Sequence, residues 1–142
     1  MSEITYEDVT SAPVGEIVEL YEAGGWWRED PTWREVIPAM VRGSFCFLVA
    51  REAGGRLVGM GRVISDGVSD AYIQDVVVDR AHRGRGVGRE IVRRLTLRCV
   101  EAGISWIGLV AEPGTRGFYE TLGYRAQPGF ELMLHEGKPD GS

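Results

Sequence analysis

"VVVDRAHRGRGVGREIVRRL", residues 76–95, runs a β-branched stretch into a turn of glycine and arginine and then into a helical pattern. Val76, Val77 and Val78, preceded by "AYIQD", read as a strand. Ile91, Val92, Leu95, Cys99 and Val100 recur at helical spacing and define one apolar face. Between them lie Gly84, Gly86 and Gly88, interleaved with Arg83, Arg85 and Arg89. A helix N-terminus presents unpaired main-chain N–H groups and a partial positive charge, which suits an anion. Glycines let the backbone approach that anion without a Cβ in the way, and arginines add charge-assisted contacts. The junction therefore reads as a cradle for phosphate or pyrophosphate. It lacks the Gly-Lys-Ser/Thr ending of a P-loop, and its G-x-G-x-G spacing is not the G-x-G-x-x-G of a dinucleotide fold.

Outward from the junction, "ITYEDV" reads as a first strand, followed by a helix on Ile17, Val18, Leu20 and Tyr21 that Gly24-Gly25 stops. A second helix is expected from Asp30 as N-cap and Pro31 in the first turn. "FCFLVARE" and "RLVGMGRVISD" read as a hairpin around "AGG". "AYIQDVVVD" follows, its apolar end implying burial on both faces. After the central helix come a strand "SWIGLVA", a short helix "TRGFYETLG" and a last strand "FELMLHE". This order predicts one α/β domain over residues 1–142, with 136–142 a flexible tail.

The chain is 44% hydrophobic and 26% charged, ordinary for a soluble globular protein. With no apolar run of about 20 residues and no basic, apolar leader, a cytoplasmic protein without a membrane partner is expected. Cys46 and Cys99 sit in apolar patterns and read as buried free thiols, and His82 and His135 stand apart from any ligand cluster, so no metal is expected. The net charge of −5 argues against nucleic acid. Against that balance, Arg80, Arg83, Arg85, Arg89, Arg93, Arg94 and Arg98 are opposed only by Glu90, a local reversal of sign that suits a small polyanion. An RNA-binding surface on Arg93, Arg94 and Arg98 is the distant rival. His82 reads as solvated surface.

Arg83-Gly84-Arg85-Gly86-Val87-Gly88 resembles the R/Q-x-x-G-x-G/A motif of the GNAT superfamily of N-acetyltransferases, and "GFYETLGY" resembles its later FY-x-x-x-G-F/Y signature. The resemblance extends over the element order from about residue 3 to residue 135. It implies a GNAT-like fold: a central mixed, mostly antiparallel sheet flanked by helices, with strands 4 and 5 parallel and splayed around acetyl-CoA.

The resemblance also implies roles. Acetyl-CoA would be held by Val76, Val77 and Val78 through their main chain and by the segment Arg83 to Arg89, Val87 included, with an N–H of Val77 or Val78 at the thioester carbonyl. Tyr119 would protonate the leaving thiolate. Asp75 is a candidate base because a charged group inside a buried strand needs a reason. Glu112 is another, standing where many members carry an Asn that contacts CoA; water, Asp66 or Asp70 are further possibilities. Trp26 and Trp27, in "GGWWREDPTWRE", would line the pocket of a small-molecule or protein amine, whereas Trp33 reads more as core. The function implied is acetyl transfer by direct attack in a ternary complex; the alternative is a non-catalytic acyl-CoA-binding module. A homodimer is compatible with the family.

Overall fold

The computed structural model describes residues 3–27 and 30–137. Arg28 and Glu29 of the acceptor region and 138–142 of the expected tail lie outside the described residues. The chain divides into two compact units, Met1–Leu109 and Val110–Ser142.

The first unit is a five-stranded sheet with helices on both faces. In chain order it holds β1 (Ile4–Asp8), α1 (Val14–Ala23), α2 (Pro31–Gly43), β2 (Cys46–Glu52), β3 (Leu57–Ser65), β4 (Asp70–Val78), a 3-10 turn (Arg80–His82), α3 (Val87–Glu101) and β5 (Trp106–Leu109). The strands lie side by side in sequence order, antiparallel except for the parallel β4–β5 pair. The mixed sheet with its parallel fourth and fifth strands is the one expected. The α2 start is also as read: Asp30 accepts hydrogen bonds from the Thr32 N–H at 2.9 Å and the Thr32 hydroxyl at 2.7 Å.

Side-chain alternation along the strands sorts the core into two layers. Phe47, Val49, Met60 and Val77 join Ile17, Val18, Leu20 and Tyr21 of α1 and Ile37 and Val41 of α2 in one buried cluster. The other face carries α3, which buries Ile91, Val92, Leu95 and Cys99 completely. "GMG" sets how closely α3 approaches. A Cβ on Gly59 would stand 2.9 Å from Ile91 Cδ1, and one on Gly61 would stand 2.8 Å from Leu95 Cδ1 and 2.9 Å from Ile91 Cγ2. Gly61→Ala should therefore overpack this layer at a cost of about 1–3 kcal/mol. The expected result is a lower urea midpoint with an unchanged m-value.

Both cysteines are buried free thiols, as read. Burial, then the charge of Asp8 and a hydrogen bond to it, pushes the Cys46 thiol up to about 12. A thiol kept neutral this way stabilises the fold fully below its unfolded pKa of about 8.5, and the contribution fades as pH rises towards 12. Melting temperature should fall between pH 9 and 11, and less steeply in Cys46→Ala.

Among its described residues the second unit contains α4 (Arg116–Glu120) and no strand. The last strand expected in "FELMLHE" does not form. Gly129 adopts φ +89° and the Phe130 N–H bonds back to Gln127 O at 3.3 Å, so the chain turns where the strand would begin. Phe130, Leu132, Met133 and Leu134 are exposed. An alternating pattern stabilises a strand only through cross-strand neighbours, and this segment has none among the described residues.

Candidate active site

The β4–β5 ladder stops early. It pairs Asp70 with Trp106 through Ile73 with Leu109, yet β4 runs on to Val78. Among the described residues the strand end thus has a ladder partner on the β3 side only. Val76 and Val78 are accordingly half-buried rather than sealed on both faces, a correction to the burial read from the valine run, and Val77 is buried.

The ladder phase says which N–H groups face the open side. The Asp79 N–H donates to Val58 O at 2.8 Å, and partners in an antiparallel ladder alternate between bonded and non-bonded pairs. The Val58–Asp79 and Met60–Val77 pairs are then the bonded ones, and the intervening Gly59–Val78 pair is not. Val78 therefore directs its N–H and C=O away from β3, and its carbonyl accepts a hydrogen bond from Arg83 Nε at 3.0 Å. Of Val77 and Val78, Val78 offers the N–H to the open side.

A bulge precedes this end. Between the Arg62–Gln74 and Met60–Val77 pairs, Gly61 alone faces both Asp75 and Val76. Asp75 sits at φ +58°, the one non-glycine residue at positive φ among the described residues. Regular alternation would turn its carboxylate towards the apolar α3 layer. The bulge instead turns it to the α1 face, where its Oδ2 accepts hydrogen bonds from Tyr21 Oη at 2.8 Å and Arg62 Nε at 2.7 Å. Neither partner stood out in the sequence. Tyr21 reads as helix core, but Arg62 inside an apolar strand poses the same question as Asp75 and could have been found by it.

Trp26 and Trp33 flank Tyr21, and Trp27 packs on Trp33. Tyr21 meets Trp26 and Trp33 edge-on at 6.3 and 5.8 Å, and Trp27 meets Trp33 at 5.6 Å. Trp26 reaches this place because its N–H bonds to Tyr21 O at 3.0 Å and Gly24 leaves room; a Cβ there would meet the indole at 2.8 Å. All three tryptophans are half-buried against the α1–α2 core, so Trp26 and Trp27 also serve the packing that was read for Trp33.

Beyond Val78 the chain makes its 3-10 turn and enters the glycine loop. Gly84 and Gly86 adopt φ +76° and +82°, a region costly for other residues. A Cβ on either would touch nothing within 4 Å, so the turn needs glycine for its dihedrals rather than for room within the protein. Gly86 is the N-cap of α3, and the first intrahelical bond, Glu90 N–H to Gly86 O at 3.0 Å, leaves the Val87 and Gly88 N–H groups at the open end of the helix. Arg85 is exposed beside them, and Arg89 lies in the first helical turn. Arg83 points elsewhere: besides Val78 O it donates from Nη2 to Ala23 O at 3.1 Å.

The remaining arginines of α3 are paired within the protein. Arg93 and Arg94 chelate Glu90, whose carboxyl these hydrogen bonds draw down to about 2. Arg94 also covers the Tyr6 ring, and Arg98 covers the Phe45 ring near Asp8. The RNA surface read on Arg93, Arg94 and Arg98 is thus engaged. His82 is not solvated surface either. The 3-10 turn folds its ring to 13% exposure, with Nε2 against Glu52 and Nδ1 3.3 Å from Asp79. Asp66 closes the β3–β4 turn; hydrogen bonds from the Ser69 side chain, then from the main chain of Ser69 and Val68, hold its carboxyl at about 2. Among the described residues no group of acidic, histidine or cysteine side chains could hold a metal ion, and no helix is long and apolar enough to cross a membrane.

In the second unit Thr115 donates from its N–H and its hydroxyl to Glu112 O, turning the chain into α4. Tyr119 is half-buried and stacks edge-on with Phe118 at 5.0 Å and Tyr124 at 6.1 Å. Burial, and then the charge of Glu112, raises its phenol above the usual range.

The family described as "Acetyltransferase (GNAT) family" matches residues 10–124. The chain belongs to the GNAT acetyltransferases. It is 40% identical over 79 residues to serotonin N-acetyltransferase 2 of Oryza sativa, covering 56% of this chain and 40% of that protein. It is 31% identical over 115 residues to the uncharacterized N-acetyltransferase ycf52 of Pyropia yezoensis, covering 80% and 65%. The chain therefore spans less than two thirds of each of these relatives. Among solved structures it matches a GNAT family acetyltransferase of Streptococcus pneumoniae at TM-score 0.75 and 22% identity, covering 94% of this chain and all of that one. It also matches glucosamine-6-phosphate N-acetyltransferase of Arabidopsis thaliana at TM-score 0.73 and 18% identity, covering 94% and 99%. For a GNAT chain, the strand end with the Val78 N–H and the α3 N-terminus with the Val87 and Gly88 N–H groups stand one short turn apart in the chain, and the Asp79, Ala81, His82 and Arg83 N–H groups between them are bonded within the protein.

Proposed function

We propose that this chain transfers the acetyl group of acetyl-CoA to a primary amine by direct attack. The observation that carries the reading is the unpaired side of β4 beyond Ile73, which leads directly into the glycine turn at the α3 N-terminus. The residues fit an extended thioester ending in a pyrophosphate. Val76 and Val78 offer strand backbone to an amide-bearing chain, and the segment Arg83 to Arg89 supplies glycine dihedrals, first-turn N–H groups and the exposed cation Arg85. The Val78 N–H serves the thioester carbonyl, where negative charge grows as the amine adds.

Acetyl-CoA supplies an activated acyl group; the protein supplies position and proton transfers. Asp75, in the β4 bulge, is the first candidate for the proton acceptor, Glu112 is the second, and Tyr119 donates to the leaving sulfur. Trp26 and Trp27 form an aromatic wall that suits a cationic or aryl amine. Relatives carry names as different as serotonin N-acetyltransferase and histone acetyltransferase, so both kinds of amine belong in the test. Calorimetric titration with acetyl-CoA, followed by thiol release with arylalkylamines, polyamines, amino sugars and a lysine peptide, decides the matter. Binding plus thiol release with one amine class is expected. Binding without release to any amine would favour an acyl-CoA-binding module, and no binding would end the reading.

A further inference from the structure

Three elements meet at one carboxylate oxygen. Asp75 Oδ2, in the β4 bulge, accepts from Tyr21 Oη of α1 at 2.8 Å and from Arg62 Nε of β3 at 2.7 Å. Tyr21 is 1% exposed and also lies 3.4 Å from the Met40 sulfur of α2. Arg62 is fixed a second time, by Gln74 Oε1 at 3.5 Å. Both donors converge on Oδ2, while among the described residues none donates to Oδ1, and the Asp75 side chain keeps 22% exposure. A non-glycine residue at positive φ in a bulge is strained, and such strain persists where the surroundings over-determine it. Here they do so in a way that leaves one oxygen free.

We propose that Tyr21 and Arg62 are positioning residues that grip one oxygen of Asp75 and present the other to the acceptor amine. The inference rests on the acetyl-transfer reading above. As the amine nitrogen bonds to the thioester carbon and the carbon–sulfur bond breaks, the proton leaving nitrogen passes to Asp75 Oδ1, directly or through one water, and the sulfur takes its proton from Tyr119. Among the described residues, the titratable and charged groups that face Asp75 are Tyr21 from α1 and Arg62 from β3, with the Met40 thioether of α2 against Tyr21 and the Gln74 amide of β4 against Arg62. Burial, followed by the Asp75 charge, raises the Tyr21 phenol far above its usual range, so Tyr21 stays a neutral donor throughout the working pH range. The same tyrosine carries the edge contacts to Trp26 and Trp33, so the grip on the carboxylate and the aromatic wall share one side chain.

The test is the pH dependence of kcat from pH 5 to 10 in wild type, Tyr21→Phe, Arg62→Met, Arg62→Lys and Asp75→Asn, with acetyl-CoA affinity measured alongside. Asparagine tolerates positive φ, which makes Asp75→Asn a fair probe of a folded protein. Removing a donor from the charged carboxylate should move the acidic limb of kcat to higher pH in Tyr21→Phe and in Arg62→Met. Arg62→Lys should restore part of the shift, Asp75→Asn should abolish the limb, and acetyl-CoA affinity should stay within about threefold throughout. A purely structural role would lower melting temperature and leave the limb in place; that result, or a limb surviving in Asp75→Asn, overturns the proposal. A wild type that binds acetyl-CoA but transfers to no amine overturns the acetyl-transfer reading instead, and the assignment of Tyr21 and Arg62 falls with it.

Discussion

Gly86→Glu is expected to weaken acetyl-CoA binding at least a hundredfold while the fold survives. Gly86 stands at φ +82° as N-cap of α3, and a Cβ there meets nothing within 4 Å. The substitution therefore brings no clash, only the cost of an L-residue in the left-handed region, about 1–2 kcal/mol. A carboxylate beside a helix N-terminus recovers about 0.3–1 kcal/mol of that through the macrodipole. Binding is affected far more. The carboxylate would occupy the helix end where the proposed diphosphate sits, replacing an attraction with a like-charge contact that the Val87 and Gly88 N–H groups can no longer offset. Gly86→Ala separates the two effects, since it carries the backbone cost without the charge. Titration calorimetry should show Gly86→Ala weakened by about tenfold or less and Gly86→Glu without measurable binding, both with cooperative melts. Equal affinities in the two variants would show that the helix end does not hold the anion.

That loop was the most legible part of the sequence, because glycine at a strand-to-helix junction encodes backbone dihedrals locally. The capped start of α2 and the apolar faces of α1 and α3 were legible for the same reason, as each depends on residues within a few positions. What escaped was non-local. The Asp75 bulge depends on how β4 is paired with β3, and the reversal of its side chain depends on what covers each face. His82 looked exposed by its neighbours in sequence but lies between Glu52, thirty residues earlier, and Asp79. Glu90, the one opposing charge of the segment, sits one turn from both Arg93 and Arg94 and binds both, a pairing that depends on rotamers the sequence does not encode. "FELMLHE" has a strand's alternation and no partner among the described residues.

Tyr119→Phe should lower kcat by about thirty- to a hundredfold with little change in acetyl-CoA affinity. The magnitude follows from where the phenol titrates. Burial and the Glu112 charge raise it above the usual phenol range, and an alkyl thiol titrates well below that range. Complete proton transfer from tyrosine to a free thiolate is then uphill. The donation helps only while the carbon–sulfur bond is breaking, so the loss should fall at or below the lower end of the range for general acids, about 10²- to 10⁴-fold. The same argument predicts a dependence on the leaving group. With an acetyl thioester of a more acidic aryl thiol, the departing sulfur needs less help, and the gap between wild type and Tyr119→Phe should narrow to a few fold. Because the raised phenol stays protonated, wild-type kcat should show no alkaline fall below about pH 10 from this group. A Tyr119→Phe variant with kcat within threefold of wild type, or a gap that does not change with the leaving thiol, would remove Tyr119 from the proton transfer.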